Sequence, residues 1–406
     1  MYLDFAWRYF KAKKSANAIN IISWVTAGVI AFATCCQVLV LSVFNGFEDM
    51  VKSLYSSFYT DLKISPSHGK SFEFDPARLA KIRALPFVQQ VGLVAEEKAL
   101  LQNGESQSVI QLKGVDEKYA TLNGIAASIS KGKFQMGDAN NPKIIVGAGV
   151  QNAAGINLNE AFAPEQLAVI LPKMHVKSND PIESLSQGNI VPSGVFTIQQ
   201  DFDNSYALTN IGFVKQQAGM YENEYTSIEV KLKRDVDLED SRDLLQQELG
   251  KDFMVQTRYQ QNSNLYNTMK LEKWAIYAVL TLILVIAAFN MVSALTMLVL
   301  EKKQDIAILQ SMGSTPVQVK KIFLTEGLLL GGIGAGIGIG LATTICLLQL
   351  KFKLIKLSGG SFLIDYFPVK LIATDFLLVA GTAMAISFLA SWFPAQKASR
   401  QPFELK

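Results

Sequence analysis

Uncharged, predominantly apolar residues collect in four blocks along the chain: Ser15 to Phe47, Trp274 to Leu300, Gly327 to Leu350 and Phe376 to Gln396. About 20 apolar residues cross a bilayer core as a helix, and a charge at its centre costs roughly 2.5 to 3.5 kcal/mol, so each block predicts a membrane span. The first block follows Arg8, Lys11, Lys13 and Lys14 but is too long for the apolar stretch of a signal peptide. Four spans put the N-terminal segment, the loop 301–326 and the tail 397–406 on one side. These carry Arg8, Lys11, Lys13, Lys14, Lys302, Lys303, Lys320, Lys321, Lys397, Arg400 and Lys406, which marks that side as cytoplasmic. The loop 351–375 opposes this with Lys351, Lys353, Lys356 and Lys370, a minority of four against eleven.

The pattern changes between the first two spans. Residues 48–272 read as a large α+β extracytoplasmic domain, with flanks at about 48–118 and 209–272 around a separate inserted β-rich lobe at about 119–208. Thr226 to Lys233 alternates Ile228, Val230 and Leu232 with Glu229, Lys231 and Lys233, the period-two signature of a half-buried strand. A helix follows, capped by Asp237 and ended by Gly250, and Phe253 to Thr257 resumes as a strand. The first flank repeats the scheme. Strand-like Asp61 to Ser65 precedes Asp75-Pro76, a cap with proline at the first helical position, then a helix to Leu85 and strands near Val88 to Val94 and Val109 to Gly114. In the middle, Lys143 to Val146, Leu167 to Leu171 and Val195 to Gln200 are strand-like, and residues 174–194 read as a polar, proline-interrupted loop.

Composition adds mainly exclusions. Half of the 406 residues are apolar, and 38 basic against 35 acidic residues give a net charge of +3, too balanced to point to nucleic acid. Two histidines and three cysteines leave little room for metal or nucleophile chemistry, and Cys35, Cys36 and Cys346 all lie in spans. No phosphate-cradling G-x-x-x-x-G-K-[ST] occurs. The glycines at 331, 332, 334, 336, 338 and 340 lie inside a span and are read as close helix packing. No catalytic residue, metal site or cofactor is expected in this chain.

The loop 301–326 is the most informative short segment. Ile306, Leu309 and Met312 recur on one face of a short amphipathic helix, Gly313 is a natural C-cap, and Thr315-Pro316-Val317-Gln318 forms a capping box for the next helix. Such a helix either lies on lipid headgroups or inserts into a cytoplasmic partner.

The run from Glu301 to Gly313 resembles the stretch that forms the coupling helix in the FtsX-like and MacB-like permeases of ABC transporters. Glu301, Asp305, Ile306, Leu309, Met312 and Gly313 match, whereas Gln310 replaces a basic residue. Pro394, Ala395, Ala398 and Pro402 resemble the P-A-x-x-A-x-x-x-P tail of that superfamily. Phe5, Arg8 and Tyr9, with Leu41-Ser-Val-Phe-Asn-Gly-Phe47, resemble motifs of the lipoprotein-releasing LolC/LolE branch.

The resemblance implies a MacB-like, type VII ABC architecture in a bacterial inner membrane and a non-catalytic permease subunit. Its partners would be a LolD-like ATPase that binds ATP and magnesium, a second permease copy or paralogue, a lipoprotein cargo and a LolA-like periplasmic chaperone. By position, residues 174–194 correspond to the loop that captures that chaperone, which makes Pro181, Ile182 and Pro192 candidate contacts. A MacB-like exporter of other cargo and an FtsX-like regulatory scaffold remain alternatives.

Overall fold

The computed structural model describes residues 17–158, 166–175, 183–356 and 366–400. The cationic segment with Phe5, Arg8, Lys11, Lys13 and Lys14, the candidate contacts Pro181 and Ile182, and Pro402 and Lys406 of the tail lie outside them. Along the chain run α1 (Asn17–Phe58), β1 (Leu62–Pro66), β2 (Phe72–Glu73), α2 (Pro76–Ala84), β3 (Val88–Asn103), β4 (Ser106–Val115), β5 (Ile129–Gly132), β6 (Lys143–Gly147) and α3 (Ala148–Ala153). Then come β7 (Leu167–Pro172), β8 (Leu185–Phe196), α4 (Gln200–Asp203), β9 (Tyr206–Asn210), α5 (Ile211–Ala218), β10 (Glu224–Tyr225), β11 (Ser227–Leu232), α6 (Leu238–Leu249) and β12 (Phe253–Thr257). The chain closes with α7 (Ser263–Glu301), α8 (Lys303–Ser311), α9 (Pro316–Phe352) and α10 (Ala373–Ser399). It divides into two units: residues 1–50, 267–358 and 364–406 form one, and 51–266 with 359–363 the other.

The first unit holds the greater part of four apolar helices, each long enough to cross a bilayer. At 42, 39, 37 and 27 residues, all but the last exceed by far the twenty or so a hydrocarbon core requires. Glycine lets three of them approach closely. A Cβ at Gly331 would lie 2.0 Å from the Ser387 hydroxyl of α10, and one at Gly338 2.3 Å from the Ala31 carbonyl of α1. The glycine run is therefore a packing device, although Gly336 and Gly340 of the same helix meet nothing.

The second unit is built on one ten-stranded sheet among the described residues, in the order β12-β1-β11-β3-β4-β9-β6-β8-β5, with β7 pairing β3 and β8. The predicted caps are present. Asp75 accepts from the Ala77 amide at 2.9 Å, Asp237 accepts from the amides of Glu239 and Asp240, and Gly250 ends α6 with φ of 81°.

The middle strands, however, do not form a separate sheet. β4 runs parallel to β9, with Gln111 opposite Tyr206, and this pairing joins the central strands edge to edge with the flanks. Backbone groups of a separate sheet would need a second set of edges; extending β3 and β4 avoids them. The 16-residue β3 makes this possible by pairing β11 near its start and β7 near its end. The two halves keep different cores. Leu62, Ile64, Ile82, Val230 and Leu245 fill one, while Leu101, Ile110, Ile144, Val169 and Phe213 fill the other.

Three further readings change. Glu229 does not face solvent: it is 2% exposed, because the last turns of α1 and the 3-10 turn Glu117–Thr121 cover the second face of β11 with Phe58 and Tyr119. β8 begins at Leu185, ten residues before the expected strand at Val195. Gln199 and Gln200 are not strand at all, since Gln200 opens α4.

Candidate functional site

The loop 301–326 folds as two helices joined by a fully specified turn. α7 ends at Glu301, α8 occupies Lys303–Ser311, and the chain reverses through Met312 to Thr315 into α9. Gly313 has φ of 93°; its amide donates to the Gln310 carbonyl and the Ser314 amide to the Leu309 carbonyl, both at 3.0 Å. That pair of bonds is the Schellman arrangement, and it needs a residue without Cβ at the left-handed position. Thr315 and Gln318 then form the reciprocal capping box, with the Thr315 amide donating to Gln318 Oε1 at 2.8 Å, and Pro316 fixes the first turn of α9.

The six residues singled out in this stretch do not share one face. Ile306 is 2% exposed and sits among Leu298, Val299, Val319, Phe323, Ala395 and Ala398. Ala395 and Ala398 of the tail motif thus leave room for it at the end of α10. Leu309 is half-buried, whereas Met312 is 79% exposed and Glu301 and Gly313 are exposed. Asp305 is paired with Lys302 at 2.7 Å. Two apolar residues not named from the pattern, Ile308 and Val317, are also exposed beside the turn. A helix anchored by Ile306 and presenting Ile308 and Met312 can dock a partner, and neighbouring Lys320 lies 3.6 Å from the Trp392 ring centroid, tying α9 to α10.

The expected loop at 174–194 is shorter than read. β7 and β8 are an antiparallel hairpin with Pro172 opposite Leu185, so the connection spans only Lys173 to Ser184. Pro192 is consequently not a loop residue: it lies in β8 opposite Ile144, at a register shift in the β6 pairing that accommodates a residue lacking an amide donor. At the start of that connection His175 Nε2 lies 2.8 Å from Glu224 and its ring is tilted against Tyr221, with centroids 4.7 Å apart. Burial alone would raise the Glu224 carboxyl, but the Ser71 hydroxyl, the Tyr221 amide and His175 hold it below its usual range. Among the described residues no group of three or more potential metal ligands occurs.

From the sequence Leu41 to Phe47 reads only as a signature; in the structure its residues pack against the segment before α10. A Cβ at Gly46 would lie 2.3 Å from the Pro368 carbonyl, and Phe47 packs edge-on against Phe367 at 5.7 Å. Asn45, 2% exposed, joins Lys273 and Asp375. An asparagine in an apolar block was the available signal, because a polar side chain at that depth requires partners.

Two family models match parts of the chain. The FtsX-like permease C-terminal family matches residues 277–403, and the MacB-like periplasmic core domain matches residues 23–165. The lipoprotein-releasing system transmembrane protein LolC of Neisseria meningitidis serogroup B is 27% identical over 419 residues, covering 98% of this chain and 96% of its own. The LolE protein of Haemophilus influenzae is 24% identical, covering 98% of this chain and 97% of its own. Among solved structures, the periplasmic region of MacB from Actinobacillus actinomycetemcomitans is similar to 52% of this chain and 95% of its own, at 16% identity and a TM-score of 0.37.

Proposed function

We propose, from its similarity to LolC and LolE permeases over nearly its whole length and from its FtsX-like and MacB-like domains, that this chain is the permease subunit of an ABC transporter that extracts lipoproteins from the inner membrane and delivers them to a periplasmic chaperone. A separate ATPase binds ATP and magnesium; this chain performs no covalent chemistry and pairs with a second copy or a paralogue. Nucleotide-driven movement of the ATPase enters through α8, and the apolar surfaces of the spans take the acyl chains of the cargo, where each buried methylene contributes about 0.8 kcal/mol.

The observation that carries this reading is the construction of α8. Ile306 is sunk into the helix ends while Ile308 and Met312 stand exposed beside a turn whose dihedrals are fixed by Gly313, Thr315 and Pro316. A helix that only rested on lipid would not need this rigidity.

The test is reconstitution of the chain with its ATPase and paralogue in vesicles, scoring ATP-dependent transfer of a lipoprotein to the soluble chaperone. Met312→Asp would bury an unpaired carboxylate in the ATPase contact, at a cost of several kcal/mol if the contact is dry, and should abolish both ATPase binding and transfer. Normal ATPase binding by this variant would place α8 on lipid instead. ATPase stimulation without lipoprotein transfer would assign the chain to another cargo or to a regulatory role.

A further inference from the structure

Two polar contacts join α1 to α7 inside the first unit. Deeper in the span, Gln37 Nε2 donates to Thr281 Oγ1 at 3.1 Å, and Gln37 is fully buried. Further along, Lys273 Nζ donates to Asn45 Oδ1 at 2.8 Å. The second contact is reinforced by α10: Asn45 Nδ2 donates to Asp375 Oδ2 at 2.7 Å, and Lys273 pairs with the same carboxylate at 3.1 Å. The segment before α10 closes over this cluster, with the Lys370 amide donating to the Ser42 carbonyl at 2.9 Å and the Lys370 ammonium paired with Asp49.

The spacing is what makes these contacts a device. From Gln37 to Asn45 is eight residues up α1, and from Thr281 to Lys273 is eight residues down α7. Equal steps in opposite directions are the register of two antiparallel helices, and at 1.5 Å per residue they set the contacts about 12 Å apart. One polar contact permits a helix to pivot; two at that separation also fix tilt and axial position. Apolar side chains in lipid provide no such lock, because they slide past one another with little change in contact, whereas a displaced Gln37 amide loses its partner in a medium without water and a displaced Lys273 leaves Asn45 and Asp375 at the end of the span. The lock is not the most stable filling of the space. Gln37 Oε1 is buried with no partner among the described residues, a cost an apolar pair would not carry.

We propose that Gln37–Thr281 and Asn45–Lys273–Asp375 form a two-point register lock that makes α1 and α7 move as one body. These are positioning residues for the transport stroke. α7 leads directly into α8, so displacement of α8 first moves α7, and the lock passes that displacement sideways to α1. This inference rests on the permease reading for its purpose but not for its geometry.

The experiment uses the full chain with its ATPase and paralogue in lipid nanodiscs. One arm measures lipoprotein transferred per ATP hydrolysed. Gln37→Leu/Thr281→Val keeps packing volume and removes one contact; Asn45→Leu removes the other. Each should lower the ratio, and the combined variant should lower it about tenfold or more while ATPase binding stays intact. Exchanging the charges in Lys273→Asp/Asp375→Lys should restore a good part of what Asp375→Ala loses. The other arm needs no cargo: spin labels at Val40→Cys and Leu271→Cys, with the native cysteines replaced, report the distance between α1 and α7. The wild-type arrangement should give one narrow distribution with and without nucleotide, and the combined variant a broadened one. An unchanged transfer ratio or an unchanged distribution in the combined variant would overturn the lock. A wild-type complex that transfers no lipoprotein would sink the permease reading and leave the distance arm to judge the lock alone.

Discussion

Replacing Glu229 tests how the last turns of α1 are seated on the sheet of the second unit. Its carboxylate accepts from Lys113 Nζ at 2.6 Å and from the Tyr119 hydroxyl at 2.9 Å, and Lys113 also lies 5.1 Å from the Phe58 ring centroid. At that separation the ion pair has a gross attraction of about 6 kcal/mol at an effective dielectric of about 20. Both side chains are nearly excluded from water, so desolvation offsets several kcal/mol per ion and the net contribution is far smaller. The asymmetry is what can be measured. Glu229→Leu strands a buried ammonium and should destabilise the unit by about 3 to 5 kcal/mol. The triple variant Lys113→Met/Glu229→Leu/Tyr119→Phe removes every stranded group and should return to within about 1 kcal/mol of the original chain. Denaturant unfolding of the purified protein, with amide exchange of β4 and β11 as a local probe, gives both values. If the single variant costs less than about 1 kcal/mol, or the triple costs as much as the single, the cluster is not the coupled pair described here.

Further outcomes follow from other parts of the molecule. Gly313→Ala forces a side chain into a left-handed position and should cost about 1 kcal/mol locally, seen as faster amide exchange in α8 and weaker ATPase stimulation. Replacing residues 176–182 by a short Gly-Ser link leaves β7 and β8 whole and should abolish chaperone binding in a pull-down without altering ATPase activity; retained binding would place recognition elsewhere. Burial lowers Lys215 from 10.5 to about 8 against the pull of Glu224 and Glu222, so between those values the unfolded state binds the extra proton. Stability should therefore rise as pH increases through that window, and Lys215→Met should flatten the rise in thermal unfolding scans.

What could be read from the chain alone was whatever depends on local physics. The spans follow from charge-free length, and Asp75, Asp237, Gly250, Gly313 and Thr315 act where their backbone preferences require. The misreadings of burial and of sheet organisation were non-local. Glu229 looks solvent-facing from alternation, and only the arrival of Phe58 and Tyr119 from distant sequence buries it. Parallel pairing of β4 with β9 links residues nearly a hundred positions apart and leaves no periodic trace. In α8 the three-residue spacing of Ile306, Leu309 and Met312 is real, but a short helix against three helix ends is enclosed at one end only, so Ile306 disappears from the surface while Met312 stays on it.

The four residues between α8 and α9 also bear on energy transmission. A flexible connector is a soft spring: work done on one end goes into dihedral rotation before the other end moves. Here Met312 to Thr315 contain a turn closed by backbone bonds from the Gly313 and Ser314 amides and a threonine locked in a reciprocal cap, and Pro316 follows with its φ already set. The compliance of that joint is low, so little of a partner's stroke is dissipated in it. Under the proposed coupling, inserting one or two glycines there would soften the joint and lengthen the delay between ATP hydrolysis and movement of the spans.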